Sequence, residues 1–208
     1  MEASHLIGWV LVIGALGFGV GAGDPYLVRA WTAPQDLFLD VVARHPTAWR
    51  VTHLLFIGGT ALTVAGVVMV PALLPSDPAQ VIALAGAVVF AIAAVLWTIS
   101  LVYRLAVTPA VARTFVTTGT IDPTTIVLDQ MSGGLFKAFI VLAFGGLAAI
   151  GIASTFGGPI PAPIGWGTAL LGGLAVGGLI LTGDMPPFTV YLPSLAFGVA
   201  LVINGSSG

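Results

Sequence analysis

The sequence predicts an all-α, polytopic helical membrane protein with about six transmembrane helices and one or two short interfacial helices. Only 7% of its 208 residues are charged and 58% are hydrophobic, whereas water-soluble domains carry about 25% charged residues. The apolar residues form long unbroken runs, as expected of helices that need about 20 residues to cross a hydrocarbon core of about 30 Å. A membrane β-barrel would instead show alternating segments of about 10 residues.

Six apolar runs are expected to cross the membrane within a single bundle made by residues 1–208. We place these spans at residues 5–23, 48–74, 79–105, 135–154, 163–182 and 187–203. Three connections are short and rich in proline and glycine, which is typical of tight hairpin turns. The other two connections are longer than ordinary ones, and each is expected to contain a short helix.

The first long connection predicts an interfacial helix at residues 34–44. Its apolar residues recur at four-residue spacing, and Asp36, Asp40 and Arg44 form the opposite, polar ladder. We expect this helix to lie in the interface with its apolar side towards the lipid. His45 ends it, because the residue before a proline is disfavoured in the α conformation.

In the second long connection, Asp122 followed by Pro123 is typical of a helix start. Gly133 and Gly134 are expected to break this element before the fourth span. Such a break would let Asp129 fold back towards Lys137, which lies just inside that span.

All six lysine and arginine residues fall on one side of the six-span arrangement. Under the positive-inside rule this side is cytoplasmic, so both termini face outward. The expected location is a prokaryotic cytoplasmic membrane. The N-terminus lacks the positive region of a cleaved signal peptide, so the first run is expected to be retained. The C-terminal sequence Asn-Gly-Ser-Ser-Gly is typical of a flexible linker.

Histidine is the first candidate for a cofactor ligand. His5 and His53 are predicted at opposite ends of their spans, about 30 Å apart, so they cannot share one haem. A single axial ligand to a haem or to the magnesium of a chlorin requires only one imidazole, and His53 is the best-placed candidate. The alternative is that His53 hydrogen-bonds a carbonyl or a neighbouring polar group in the headgroup zone.

Other polar and aromatic residues near the span ends are expected to anchor the protein at the membrane boundary, because tryptophan and tyrosine favour the interface and long cations reach towards it. They are Trp49, Arg50, Tyr103, Arg104 and Lys137.

Glycines at four-residue spacing predict close helix packing in the first and fifth spans, because small residues let helix backbones approach one another. They are Gly17, Gly19, Gly21, Gly23, Gly173 and Gly177.

The sequence shows no catalytic motif, and the absence of cysteine excludes disulfides and thiolate sites. A net charge near −2 provides no basic surface for nucleic acid. The leading hypothesis is a non-catalytic integral subunit that packs against a larger membrane complex of respiratory or photosynthetic type, with the lipid bilayer and other membrane subunits as its partners.

Two alternatives remain open. One is a small transporter or channel for a neutral or hydrophobic solute, for which Pro193, well inside a predicted span, is the main support. The other is a carrier that binds haem, a chlorin, a carotenoid or quinone through His53 and apolar grooves.

Overall fold

Proline and glycine set most of the helix ends in this computed structural model, which describes residues 2–204. Pro46 occupies the first turn of the third helix, where the missing N–H costs nothing. Gly119 and Gly183 end two long helices with φ of 69° and 75°, a left-handed conformation that glycine adopts without a steric penalty. Residues 205–208 of the predicted linker lie outside the described range.

Residues 2–204 form helices and contain no strand. The α-helices are α1 (Ala3–Ala22), α2 (Gln35–Arg44), α3 (Pro46–Met69), α4 (Asp77–Thr118), α5 (Pro123–Ser154), α6 (Ala162–Thr182) and α7 (Tyr191–Asn204). Two 3₁₀ helices, Val70–Leu73 and Pro187–Val190, extend the end of α3 and precede α7.

Six of these segments are long and apolar enough to cross a membrane, and each overlaps one predicted span. They are Ala3–Ala22, Pro46–Leu73, Asp77–Thr118, Pro123–Ser154, Ala162–Thr182 and Pro187–Asn204. Their outer faces carry large apolar side chains, such as Leu181, which is 86% exposed, and Ile180, which is 76% exposed. This exposure is unfavourable in water and normal in lipid, so it supports a multi-pass membrane protein.

Two helices are much longer than the sequence predicts. The helix α4 has 42 residues, equivalent to about 63 Å, and α5 runs without interruption through Gly133 and Gly134. The predicted break at these glycines is therefore wrong. A glycine inside a helix costs only about 1 kcal/mol relative to alanine, and α5 packs along α4 on both sides of this point, for example through Ser100 and Ser132.

The helix predicted at residues 34–44 forms as α2, but protein covers part of its apolar side, while Leu37 stays 50% exposed. Leu39 and Val42 are buried together with Ala112 of α4 and Trp49 of α3. The reason is that α4 continues past the predicted span and offers α2 a protein surface. On its polar side, the guanidinium of Arg44 contacts the carboxylate of Asp40 at 2.8 Å, as the polar ladder predicts.

The spans pack in the order α7, α1, α3, α4, α5, α6. Helix α1 lies between α7 and α3, α5 lies between α4 and α6, and α3 joins the two groups through α4. Neighbouring spans are antiparallel, so all six cations lie in the same half of the bundle, with Lys137 about 12 Å nearer its middle than Arg104. We call this the cationic end; it holds Arg29, Arg44, Arg50, Arg104, Arg113 and Lys137.

Pairs of glycines mark the closest approaches between spans. A methyl group built on either member of a pair would press against the backbone of the other helix. The pairs are Gly8 with Gly198, Gly14 with Gly59, Gly86 with Gly146, and Gly151 with Gly165. The backbone contact allowed by these pairs is the kind that small residues provide between membrane helices.

The six glycines predicted from the sequence to pack closely are not members of these pairs, apart from a looser approach at Gly17. Gly21 packs against Phe56 and Gly17 approaches Gly59. The others meet no neighbouring helix, since Gly23 lies near its own helix and no atom lies within 4 Å of a methyl group built on Gly19, Gly173 or Gly177.

Candidate functional site

His53 lies in the second turn of α3, near the cationic end, and is 1% exposed. Its Nδ1 lies 2.8 Å from the carbonyl oxygen of Trp49. Because a carbonyl only accepts, Nδ1 carries the proton and donates it. The rings of Trp49 and Phe56 lie 4.1 Å and 5.6 Å from the imidazole, so aromatic groups enclose it.

The other two histidines make contacts of a different kind. His5 accepts a hydrogen bond of 3.0 Å from the indole of Trp9 at the opposite end of the bundle. His45 stacks on Tyr26 at 4.9 Å between ring centres. Across residues 2–204, no group of three or more histidine, cysteine or acidic side chains is placed to hold a metal ion. His53 is therefore not part of such a group.

An aromatic cluster surrounds His53 and links α2, α3 and α4 with the connection before α2. Trp49 is fully buried beside Trp31 and Phe38, with ring centres 5.8 Å and 5.5 Å away. Its indole N–H donates a 3.0 Å hydrogen bond to the carbonyl of Arg104. Trp49, predicted as a boundary anchor, thus faces the protein interior and joins α3 to α4 at the height of Arg104.

A cavity of about 330 Å³ opens next to this cluster. The connection before α2, α2 itself, the end of α4 and the start of α5 form its walls. Its lining combines three aromatic rings with polar and charged groups, notably Trp31, Phe38, Tyr103, Gln35, Arg104 and Asp129. His53 is not part of the lining.

Arg104 is the least satisfied group in this cavity. Its Nε is buried without a hydrogen-bond partner among the described residues. The one ion pair within 4.0 Å in residues 2–204 is that of Arg44 with Asp40, so no carboxylate meets Arg104 at that distance. A buried donor left unpaired costs about 1–3 kcal/mol, more when it is charged.

Asp129 lines the same cavity, at the same height along the bundle as Arg104. The hydroxyls of Ser100 and Ser132 lie 2.7 Å apart, which sets the antiparallel register of α4 and α5 and brings Asp129 level with Arg104. Asp129 interacts electrostatically with Arg104 across the space between them, as does Asp184 in the connection after α6. The cavity thus holds one positive and one negative group that do not neutralise each other by contact.

The remaining predicted anchors divide between the surface and the cavity. Arg50 and Lys137 are exposed, while Tyr103 and Arg104 line the cavity. The predicted meeting of Asp129 and Lys137 is wrong. These residues lie eight positions apart on the uninterrupted α5, which separates them by about 12 Å along the axis.

Beyond Arg104, α4 and α5 continue as a helical hairpin formed by residues 106–134. Helix α4 extends 14 residues past Arg104, equivalent to about 21 Å. The hairpin contains only three charged residues, Arg113, Asp122 and Asp129. Its exposed side chains include Val116, Leu128, Met131 and Val127, the last being 63% exposed.

The sequence did not reveal this cavity, because its walls meet only through the extension of α4 and the docking of α2. Pro109 was missed as well; it lies inside α4 without ending the helix. Pro193, by contrast, lies in the first turn of α7, where a proline does not interrupt the helix.

No family model matches the chain, and no curated protein or solved structure is significantly similar to it. The class of protein therefore follows from its own features: an all-helical chain with six helices that are long and apolar enough to cross a membrane.

Proposed function

We propose that this chain is a non-catalytic integral membrane subunit that packs against a larger membrane complex of respiratory or photosynthetic type. The observation that carries the proposal is the apolar surface of the hairpin at residues 106–134. In the proposed orientation this hairpin lies on the cytoplasmic side of a prokaryotic cytoplasmic membrane, because cytoplasmic segments carry the excess of lysine and arginine. Both termini then face outward.

The hairpin has apolar side chains that need a surface against which to be buried. Its outer part projects further than the hydrocarbon core extends, so lipid does not cover it. Val116, which lies about 18 Å beyond Arg104 along α4, is 56% exposed there, and burying such apolar surface contributes about 25 cal/mol per Å². A protein partner with a complementary apolar surface is the occupant that this chemistry favours.

Site-specific photocrosslinking in the native membrane tests the proposal. A photoreactive side chain at Val116 is expected to form an adduct with the extramembrane part of one defined membrane polypeptide. The same group at Leu174, which is 74% exposed on α6, is expected to label lipid. Lipid labelling from both positions would exclude a docking role for the hairpin.

Two glutamate substitutions on the hairpin, one at an apolar position and one at a polar position, test the same contact. Val116→Glu removes apolar contact surface and adds a charge, so it is expected to reduce recovery of the crosslinked polypeptide in mild detergent by about tenfold. Thr114→Glu, at an exposed polar position of the same hairpin, adds the same charge and is expected to preserve recovery. Equal recovery with both variants would argue against the apolar contact.

A single-histidine cofactor carrier is the second candidate. It is favoured by the hydrogen bond from His53 Nδ1 to the Trp49 carbonyl, because metal-bound histidines use their second nitrogen in this way. Natively purified protein would then show visible absorbance that His53→Ala abolishes. Absorbance that survives this substitution would exclude His53 as the ligand.

A further inference from the structure

We propose that the cavity beside Arg104 binds the headgroup of a zwitterionic phospholipid of the phosphoethanolamine type. Arg104 binds the phosphate, and Asp129 binds the primary ammonium group. This inference does not depend on the proposed docking role, because it concerns a separate cavity with its own chemistry.

The depth of Arg104 suits a lipid headgroup. Asp77 begins α4 at the opposite end of the bundle, and 27 residues of continuous helix separate it from Arg104. This corresponds to about 40 Å. A bilayer measures about 40–45 Å across when both headgroup regions are included, of which the hydrocarbon core is about 30 Å. With Asp77 in one headgroup layer, Arg104 and the cavity therefore lie in the other.

The chemistry of Arg104 suits a phosphate. A guanidinium presents several N–H donors in a fixed plane and pairs with phosphate oxygens through two parallel hydrogen bonds. In Arg104 the Nε is buried and without a partner among the described residues, and the side chain makes no ion pair within 4.0 Å. An oxyanion in the cavity would satisfy these donors.

The second half of the headgroup meets Asp129 and the aromatic rings. A primary ammonium donates hydrogen bonds to a carboxylate, and the faces of Trp31, Phe38 or Tyr103 in the same lining attract a cation. The carboxylate of Asp129 lies in the same lining as Arg104. A headgroup with only a negative charge leaves this carboxylate without a partner, whereas one carrying both charges supplies a partner to each residue.

The size of the cavity is consistent with a headgroup alone. Its volume of about 330 Å³ is at the lower end of the range of about 300–1,000 Å³ for small-molecule sites. It holds a phosphate, a two-carbon linker and an ammonium, and leaves the acyl chains in the surrounding bilayer.

Native mass spectrometry of the purified full chain tests the assignment. The protein is prepared in detergent with added phosphatidylethanolamine, phosphatidylglycerol or phosphatidylcholine, and separately with soluble phosphoethanolamine. We expect one retained phosphatidylethanolamine per chain, and at least about tenfold less of either other lipid. Soluble phosphoethanolamine is expected to compete for the site only weakly, because it lacks the membrane anchor.

Substitutions separate the two contacts. Arg104→Gln is expected to abolish retention, and Arg104→Lys, which keeps the charge and the fold, is expected to lower it. Asp129→Asn is expected to remove the preference over phosphatidylglycerol. Arg113→Gln and Asp36→Asn, at exposed positions outside the cavity, serve as matched controls and are expected to bind normally.

Three results would overturn the proposal. They are equal retention of all three lipids by the unaltered chain, unchanged retention in both Arg104 variants, and tight binding of soluble phosphoethanolamine. The last result would assign the cavity to a soluble solute. None of these results bears on the crosslinking from Val116, so failure of this inference and failure of the docking proposal are distinguishable.

Discussion

Gly86 and Gly146 face each other where α4 crosses α5, and neither position has room for a side chain. A methyl group on Gly146 would lie 2.9 Å from the backbone nitrogen of Phe90. Backbone atoms cannot yield as a flexible side chain can, so the two helices would have to move apart. The contact between α4 and α5 therefore depends on these two glycines.

Gly146→Ala is expected to destabilise the folded chain by about 1–3 kcal/mol, the usual cost of overpacking. Unfolding of the purified protein in detergent measures the effect. Gly145→Ala is the matched control, because no atom lies within 4 Å of a methyl group built there. The control is expected to be neutral or stabilising, since alanine favours a helix over glycine by about 1 kcal/mol. Equal stability of the two variants would contradict the contact described here.

The sequence predicted the importance of glycine, but only part of its placement. Spacing along one helix identifies a face of small residues, as at Gly173 and Gly177, without saying whether another helix covers it. The pair formed by Gly86 and Gly146 shows no such spacing within either helix. Its significance arises only when two distant segments meet, and this depends on how the helices pack.

At the scale of elements, the N-terminus of α5 is fixed by Asp122. Its carboxylate accepts a hydrogen bond of 2.7 Å from the backbone N–H of Thr124, an N–H that the helix itself leaves unpaired. Interaction with the Thr124 side chain, together with this backbone hydrogen bond, lowers the pKa of Asp122 below its ordinary value of 3.8. The tip of the hairpin is thus held by a charged cap.

This cap predicts a specific pH dependence. Because the folded pKa of Asp122 is lowered, its contribution to stability is present above the unfolded value and is lost as the pH falls through the folded value. An NMR titration of the carboxyl carbon is expected to give a midpoint below 3.8. Protection of the Thr124 amide from hydrogen exchange, measured against Asp122→Asn at each pH, is expected to fall over the same acidic range. A midpoint at or above 3.8 would contradict the cap.

The start of α5 was predictable because capping is local, as Asp122 followed by Pro123 shows. The length of α5 and the orientation of α2 were not. Gly133 and Gly134 favour a break when α5 is considered alone, and the apolar face of α2 favours lipid when α2 is considered alone. In both cases contact with α4 decides the outcome, and no local pattern encodes that contact.

At the scale of the whole molecule, the positions of the large apolar side chains and the positions of the cations indicate the same arrangement. Large apolar side chains such as Leu181 lie on the outer faces of the spans, and the six cations lie at one end. Together they support our proposal that the chain crosses a bilayer six times with its cationic end on a single side. This is the central claim, because the proposed docking hairpin and the proposed headgroup cavity both take their positions from it.

Accessibility of single cysteines to a membrane-impermeant maleimide in intact and permeabilised cells tests this claim most directly, since the chain contains no cysteine. Thr120→Cys lies at the hairpin tip and Phe156→Cys at the opposite end of the bundle, and both positions are exposed. We expect Phe156→Cys to react in intact cells, and Thr120→Cys and Arg29→Cys to react only after permeabilisation. Labelling of Thr120→Cys and Phe156→Cys from the same side, or of Thr120→Cys and Arg29→Cys from opposite sides, would contradict the account.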